Sequence, residues 1–386
     1  MTPTRAMVVG IDLHNIRDGG GMNYIRNLLE AADPVADRFA EIHLFGAAKV
    51  LDAFPDRPWI IKHAYSELER SLWARLRFVA RRLPTEFKAA GCDILYCPGG
   101  IAFGNIHPYV TISRNMLPFR SEFWRMYPRF SLERLRLQLL RWRNTATFVD
   151  ADGMIYLSDT ARTIISAALR RQPPRVAVIP HGVDHGRFSG VPRTSAPDPG
   201  APIAIVYPSR LEPYKHQLEV IAAFSAVMDE FALASLTFCG PANPPYRQQV
   251  EEAMGRVDPS GTRLRYVGEV PNADLPALYA DSDLLLFASS CENLPNILIE
   301  AMACGIPICC SSRSPMPEIA QDACVYFDPT QSDQIATAIR DVLRNRAATL
   351  TRSHAAMTLA ADYSWAKTAR RTFALIADTA SNAASS

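Results

Sequence analysis

The sequence predicts two successive α/β domains, each built on a mostly parallel sheet. Three observations carry this. Short apolar runs recur along the chain between helical patterns, which is how strands covered by helices on both faces read. A stretch rich in proline, with serine and glycine, interrupts the series before residue 202, and the strand–helix pattern then restarts. The length of 386 residues is too great for one typical core and suits two domains of roughly 150–200 residues.

The elements follow in order. A first strand is expected over 7–11, then a glycine-rich turn at Gly19, Gly20 and Gly21, then a helix over 23–31. Strands follow at 41–45, 93–97, 109–112, 153–157 and 176–179. These make up an N-terminal domain over 1–190, and 191–201 forms the linker. The restarted series has strands at 203–208, 234–239, 263–267, 284–287, 306–310 and 325–327. Helices are expected over 217–228, 274–280 and 296–303. The C-terminal domain is therefore 202–364, and a terminal helix occupies 365–380 of the segment 365–386.

Composition narrows the function. Hydrophobic residues at 48% and charged residues at 21% place the chain among ordinary globular proteins. A net charge of +2 gives no reason to expect a nucleic-acid partner. The eight cysteines lack CxxC spacing and lie in or beside apolar runs, so they read as buried free thiols of a reducing compartment. No signal peptide is evident, and no run approaches the ~18 apolar residues of a membrane span. A cytoplasmic location is expected, with peripheral attachment at the inner face of the membrane left open.

The most informative segment runs from Ser289 to Pro307, S-S-C-E-N-L-P-N-I-L-I-E-A-M-A-C-G-I-P. A strand ends before it. Pro295 fits the start of a helix, Gly305 its stop, and Pro307 prevents its continuation. Glu292 thus lies in the loop and Glu300 on the helix, on the side of a parallel sheet where open α/β folds bind ligands. Amides at the helix start can face a phosphate, and a carboxylate can accept two hydrogen bonds from a ribose diol. The residues alone equally allow two solvated surface acids.

This segment resembles the E-x7-E motif of retaining glycosyltransferases of the GT-B fold, glycosyltransferase family 4, also called glycosyl transferases group 1. The string from Glu300 to Pro307 is among that family's most specific. The resemblance implies two Rossmann-like α/β domains facing across a cleft, the first on the acceptor side and the second binding a nucleotide sugar, with the last helix returning toward the first. It implies that Glu300 binds the nucleotide ribose and that Glu292 faces the transferred sugar. Amides around Asn293, Leu294 and Asn296 would approach the donor.

Further segments resemble the same family. Tyr207 to His216, Y-P-S-R-L-E-P-Y-K-H, implies that Arg210 and Lys215 hold the diphosphate, where fixed cations stabilise a leaving group that gains negative charge. The glycines at 19–21 resemble the family's glycine loop, which puts Gly20 and Gly21 near the donor phosphate or the acceptor. They are not the dinucleotide fingerprint, because the spacing G-x-G-x-x-G is absent. Val267-Gly-Glu-Val resembles the base-binding turn and brings Val270 to the donor. Val178 to Asp184 and Tyr363 to Ala369 resemble the family's segments before the linker and at the last helix. The resemblance is strong over 176–375 and thinner before it.

The chain also departs from the pattern. Where many members carry a His-Asp pair after an N-terminal strand, this chain has Arg114 and Asn115. Asn115 can hydrogen-bond a sugar hydroxyl but does not titrate near neutral pH. Many members have Gly-Phe-Gly after the first glutamate, and here the sequence is Asn293-Leu-Pro-Asn. Asp12, His14 and His181 carry no assignment. Two arginine-rich stretches with tryptophan, over 68–82 and 119–143, read either as helices whose aromatic face packs on the sheet or as a seat for an anionic bilayer or a pyrophosphate-bearing lipid.

The expected activity is hexosyl transfer, with retention, from a nucleoside diphosphate sugar to a hydroxyl of a glycan or lipid-linked acceptor, as in surface polysaccharide biosynthesis. The expectation includes no permanently bound cofactor and no metal requirement. The expected partners are the nucleotide sugar, that acceptor and a candidate anionic membrane surface, with no nucleic acid. A nucleotide-sugar epimerase of the same fold class and a non-catalytic nucleotide-sugar-binding protein are the alternatives.

Overall fold

The computed structural model describes residues 6–17, 19–102, 106–190 and 200–383. Most of the expected linker, 191–199, lies outside the described residues.

The chain divides into two compact units. The first comprises Met1–Phe119, Leu135–Gly182 and Trp365–Ser386. It holds strands β1 (Met7–Asp12), β2 (Phe39–Gly46), β3 (Ile60–Ala64), β4 (Ile94–Cys97), β5 (Tyr109–Ile112), β6 (Gly153–Tyr156) and β7 (Arg175–Val178). They form one sheet in the order β3-β2-β1-β4-β5-β6-β7, parallel throughout. Every residue of β1, β4, β5 and β6 is buried, because helices cover a parallel sheet on both faces. β3 has no counterpart in the sequence reading. Of its five residues at the sheet edge, I-I-K-H-A, four are half-buried and Ala64 is exposed, and the short apolar run carries Lys62 and His63.

The second unit comprises Arg120–Arg134 and Val183–Ser364. Its strands are β8 (Ile203–Pro208), β9 (Ala234–Cys239), β10 (Leu264–Tyr266), β11 (Leu284–Phe287), β12 (Ile308–Ser311) and β13 (Val325–Phe327). The order is β10-β9-β8-β11-β12-β13, again all parallel. The segment Arg120–Arg134, which the sequence reading runs into the N-terminal domain, clusters with this unit.

Each sheet reverses its strand order once. In the first, the chain builds outward from β1 to β3 and then resumes on the other side of β1 with β4. In the second, the same reversal falls between β8 and β11. Ligands of open α/β sheets bind beyond the carboxyl ends of the strands at such reversals, because the connecting loops there part to opposite faces.

The helices that matter to these reversals are α1 (Gly19–Glu30), α2 (Leu132–Asp150), α3 (Gln217–Ser225), α4 (Pro244–Val257), α5 (Asn296–Cys304), α6 (Arg346–Ala360) and α7 (Trp365–Ala383). α1 starts four residues before the position the sequence suggests. Gly19, Gly20 and Gly21 form its first turn rather than a loop ahead of it, so their amides are helix-start amides. α5 has Pro295 as its N-cap and ends at Gly305, whose φ of +66° closes the helix in the left-handed region. A side chain there would also meet Met357 of α6, with Sδ only 2.6 Å from an added Cβ.

All eight cysteines are free thiols, six of them buried and Cys92 and Cys304 half-buried. Among the described residues, no helix is long and apolar enough to cross a membrane.

Candidate functional site

The reversal in the second sheet is formed by the loop after β8 and the loop after β11. The β8 loop carries Arg210 and Lys215, and the β11 loop carries Glu292, Asn293 and Leu294 ahead of Asn296 at the start of α5. Three contacts join the loops. The backbone amide of Ser290 donates to the carbonyl of Tyr214 at 2.9 Å. Ser290 Oγ pairs with His216 Nε2. Lys215 Nζ donates to Glu292 Oε1. The motifs that sequence separates by some eighty residues are therefore one cluster.

Local chain geometry positions these groups. Tyr207, on β8, donates from its hydroxyl to the carbonyl of Lys215 at 2.6 Å and pins the turn. His216 then takes a left-handed conformation, φ +54°, which turns the chain into α3 while burying the imidazole. Gly240, after β9, comes so close that a Cβ would lie 2.3 Å from the carbonyl oxygen of Ser209. No other residue fits there without moving the strand end that carries Arg210.

The charges differ in setting. The Lys215 and Glu292 side chains are only 9% and 15% exposed, so their pairing is shielded from water. Lys215 Nζ also lies 5.1 Å from the centroid of the Phe287 ring, within cation–π range. Arg210 reaches solvent, with its side chain 54% exposed, and its Nε donates to Glu212 Oε1 at 3.2 Å. Glu212 is itself held by the Tyr127 hydroxyl at 3.1 Å and by Asn243 Nδ2 at 3.4 Å. Tyr127 belongs to the segment 120–134, and beside it a cavity of about 400 Å³ is lined by Met126, Tyr127, Pro213, Asn243 and Tyr246.

Glu300 sits on α5. Burial pushes its carboxyl up to about 7, opposed by a hydrogen bond from the Tyr279 hydroxyl at 3.3 Å and by the Arg187 guanidinium. Val270 is half-buried in the turn after β10, beyond Gly268, whose carbonyl accepts from Gly240 N at 2.7 Å. Burial also pushes the Cys291 thiol up to about 12, so it is no thiolate nucleophile at neutral pH.

The first unit carries Gly20, Gly21 and Asn115. Arg114 is the residue that links two of them. Its Nη1 would lie 3.0 Å from a Cβ added at Gly21, and its Nη2 3.6 Å from one at Gly20. Its guanidinium carbon is 5.5 Å from the Tyr24 ring centroid. Its Nε is buried with no hydrogen-bond partner among the described residues. Asn115 is exposed, and its Oδ1 accepts from the Leu117 amide at 3.1 Å, a local turn bond. At the end of β1, Asp12 accepts a hydrogen bond from the His14 amide at 3.0 Å and pairs with His14 Nδ1 at 2.7 Å, both side chains buried. Asn15 Nδ2 donates to the carbonyl of Gly99 at 3.1 Å, tying the loop after β1 to the loop after β4. His181 is buried in an aromatic cluster, 4.8 Å from the Tyr24 ring and 5.8 Å from Trp365. Among the described residues, no group of three or more His, Cys, Asp or Glu side chains could hold a metal ion.

The sequence reading missed Glu212, His216, Tyr279 and Ser290, which support the named residues. Glu212, His216 and Ser290 stood inside motifs already singled out, and Tyr279 closes the segment Asp274-Leu-Pro-Ala-Leu-Tyr, which resembles the helix after the base-binding turn.

The glycosyl transferases group 1 family matches residues 193–358. Curated relatives include the O-antigen chain mannosyltransferase B of Escherichia coli, 35% identical over 103 residues, 26% of this chain and 27% of that one. Another is the 2-deoxystreptamine glucosyltransferase of Streptomyces kanamyceticus, 26% identical over 169 residues, 41% and 42% of the two chains. The chain thus matches well under two thirds of the length of these relatives. Solved structures cover far more. Anabaena HepE in complex with UDP and glucose has a TM-score of 0.68 at 18% identity, over 96% of this chain and 98% of that one. The sucrose-phosphate synthase of Thermosynechococcus elongatus has a TM-score of 0.75 at 17% identity, over 95% and 97%. Residues 193–358 are thus similar to the glycosyl transferases group 1 family, and the fold is the GT-B fold of these solved structures.

Proposed function

We propose that this chain is a retaining glycosyltransferase that moves a sugar from a nucleoside diphosphate sugar to a hydroxyl of a glycan or lipid-linked acceptor. The observation that carries the proposal is the Lys215–Glu292 pair at the reversal of the second sheet. It brings a shielded cation and a carboxylate to one point beyond the strand ends, which supports a reading in which a diphosphate and its sugar bind there.

In this reading Lys215 and Arg210 hold the diphosphate and stabilise the charge that develops as the glycosidic bond breaks. Arg210 is the solvent-facing partner, held by Glu212. Glu292 positions the transferred sugar, and donor phosphate competes with it for Lys215. Glu300 takes the ribose diol, with the Tyr279 hydroxyl orienting the carboxylate. Val270 and the amides of Asn293, Leu294 and Asn296 frame the rest of the donor. Gly20, Gly21 and Asn115 serve from the first unit. The leaving phosphate itself accepts the proton of the acceptor hydroxyl, so no titrating base is needed on Asn115. No metal takes part in this plan. The likeness to HepE, solved with UDP and glucose, and to an E. coli O-antigen mannosyltransferase supports a nucleotide-sugar donor and a role in surface polysaccharide synthesis.

The test is a transfer assay with UDP-, GDP- and ADP-sugars against glycan and polyprenyl-linked acceptors. A product with the anomeric configuration of the donor, lost in Lys215→Ala, is the expected result. An isomerised nucleotide sugar formed without acceptor would replace the proposal with epimerisation.

A further inference from the structure

Helix α2 is built inside out over its middle turns. Its buried side chains include Leu137, Asn144, Thr147 and Phe148. On the opposite face Leu135, Leu139 and Trp142 stand at i, i+4 and i+7 and are 54%, 52% and 62% exposed. One exposed leucine carries no message, because much of any protein surface is apolar. Three large apolar groups in helical register are a different matter, since an amphipathic helix ordinarily turns that stripe inward. Trp142 and the two leucines therefore face away from the side of α2 that buries Phe148.

The stripe ends at a basic cavity. Trp142 lines a cavity of about 1020 Å³ together with Arg143, Arg170 and Arg171. The Arg143 guanidinium carbon lies 5.3 Å from the Trp142 ring centroid. Backbone carbonyls hold two of the arginines in place, Ala102 bonding Arg143 at 3.4 Å and Val149 bonding Arg171 at 3.1 Å. Both Arg170 and Arg171 are exposed. The one acid in the lining, Asp150, is engaged by the Tyr109 hydroxyl at 3.3 Å and lies 3.5 Å from His107. Between residues 134 and 149 the chain has four arginines and no acid.

We propose that this face of α2 docks on an anionic phospholipid surface, with Leu135, Leu139 and Trp142 entering the interface and the cavity arginines taking lipid phosphate. Apolar groups flanked by arginine, with tryptophan at the boundary, match the layered chemistry of a bilayer edge. A protein partner of comparable area would need a dense acidic rim to answer the same arginines. A second copy of this chain offers none on this face, because like charges would meet across a symmetric contact. The proposal goes beyond the donor reading and does not rest on it.

The experiment uses the full chain in co-sedimentation with vesicles of phosphatidylcholine alone or with about 30% phosphatidylglycerol. Binding is expected to the anionic vesicles only and to weaken at high salt. Leu139→Glu and Trp142→Glu should each lower the partition coefficient by about tenfold or more. Both sites are exposed, so the variants should melt like the parent, and nucleotide-sugar binding should be unchanged. Arg170→Glu with Arg171→Glu should remove the preference for phosphatidylglycerol. Equal vesicle binding by all variants, or none by the parent, overturns the proposal. So does a dimer in sedimentation velocity that Leu139→Glu dissociates, since the face would then belong to a second copy. Loss of donor binding in every protein would count against the donor reading and leave the vesicle result standing.

Discussion

The reversal between β8 and β11 is closed by side chains that already have partners, whereas the N-terminal reversal between β1 and β4 adds to its paired Asp12–His14 and Asn15–Gly99 contacts a helix start and a guanidinium with capacity to spare. In the second unit Lys215 has Glu292, Arg210 has Glu212, and Glu300 has Tyr279. In the first, α1 opens on three glycines whose amides begin a helix, and Arg114 lies against them with an unpartnered Nε. The contrast teaches how two units can divide the work of the proposed transfer. A site that must be ready for a charged donor can hold its charges paired until the donor replaces one partner. A site built from backbone amides and one spare guanidinium has little to exchange and can accept different occupants.

Lys215 should give the largest effect. Lys215→Ala removes a shielded cation and leaves Glu292 with a buried, uncompensated charge. Transfer should fall by roughly two to three orders of magnitude, and stability should fall by about 3–5 kcal/mol at neutral pH. Adding Glu292→Gln should return most of the stability and none of the transfer. Thermal melts and initial rates on the two variants separate these outcomes. If the double variant is no more stable than the single one, the pair is not a closed element.

Glu300 sharpens the comparison through pH. Its folded-state carboxyl titrates near 7 against an ordinary value of 4.5, so between those values the native state binds more protons than the unfolded state. The contribution to stability is therefore most favourable below the unfolded value and is lost as pH rises through 7, by about 3 kcal/mol in all. Glu300→Gln should be more stable than the parent at pH 8 by up to that amount and nearly equal to it below pH 4. Its donor affinity should drop about tenfold or more. A ribose diol donating to the ionised carboxylate also favours the charged form, so donor binding below pH 7 should release a proton. Calorimetry in buffers of different ionisation enthalpy reads that proton directly. A variant no more stable at pH 8 than its parent would remove the basis for a strained carboxylate.

How far the sequence reveals all this differs between the units for a physical reason. The elements of the second unit could be read because their residues are fixed by local constraints. Pro295, Gly305 and Pro307 punctuate α5, and the apolar strands β8 and β11 are continuous runs. The pairing of Lys215 with Glu292 could not be read, because it joins residues 77 apart through His216 and Ser290. Tyr279 as the partner of Glu300 is hidden for the same reason. In the first unit the edge strand β3 and the true start of α1 escaped notice. Glycine lowers helix propensity, and only the tertiary setting makes Gly19–Gly21 helical. Asn115 drew attention by its place in a motif, yet its Oδ1 serves a turn while neighbouring Arg114 reaches the glycines. The exposed apolar face of α2 was an open choice in the sequence, since periodicity gives a stripe and not its direction.

Arg114→Ala tests whether the first unit's spare capacity is used. The residue has a cation–π contact with Tyr24 to lose and a desolvated guanidinium to be relieved of, so stability should change by no more than about 1 kcal/mol. Transfer should nonetheless fall by about tenfold if the guanidinium meets substrate anion. A fall in stability of several kcal/mol with no kinetic effect would make Arg114 part of the Tyr24 packing instead.

Gly21→Ala should give the smallest and most discriminating effect. The new methyl would sit 3.0 Å from Arg114 Nη1 and 3.3 Å from Ile16 Cδ1. Both are far ends of flexible side chains, so they can move by a few tenths of an ångström. In a helical first turn alanine is favoured over glycine by roughly 0.5–1 kcal/mol. Stability should therefore stay level or rise slightly, while Arg114 is pushed from the helix start and transfer falls a few-fold. The double variant Gly21→Ala with Arg114→Ala should then be no slower than Arg114→Ala alone, because the methyl acts only by displacing the guanidinium. If the two losses instead multiply, the glycine is needed for the close approach of substrate to the α1 amides themselves, and the first unit's site is backbone before it is arginine.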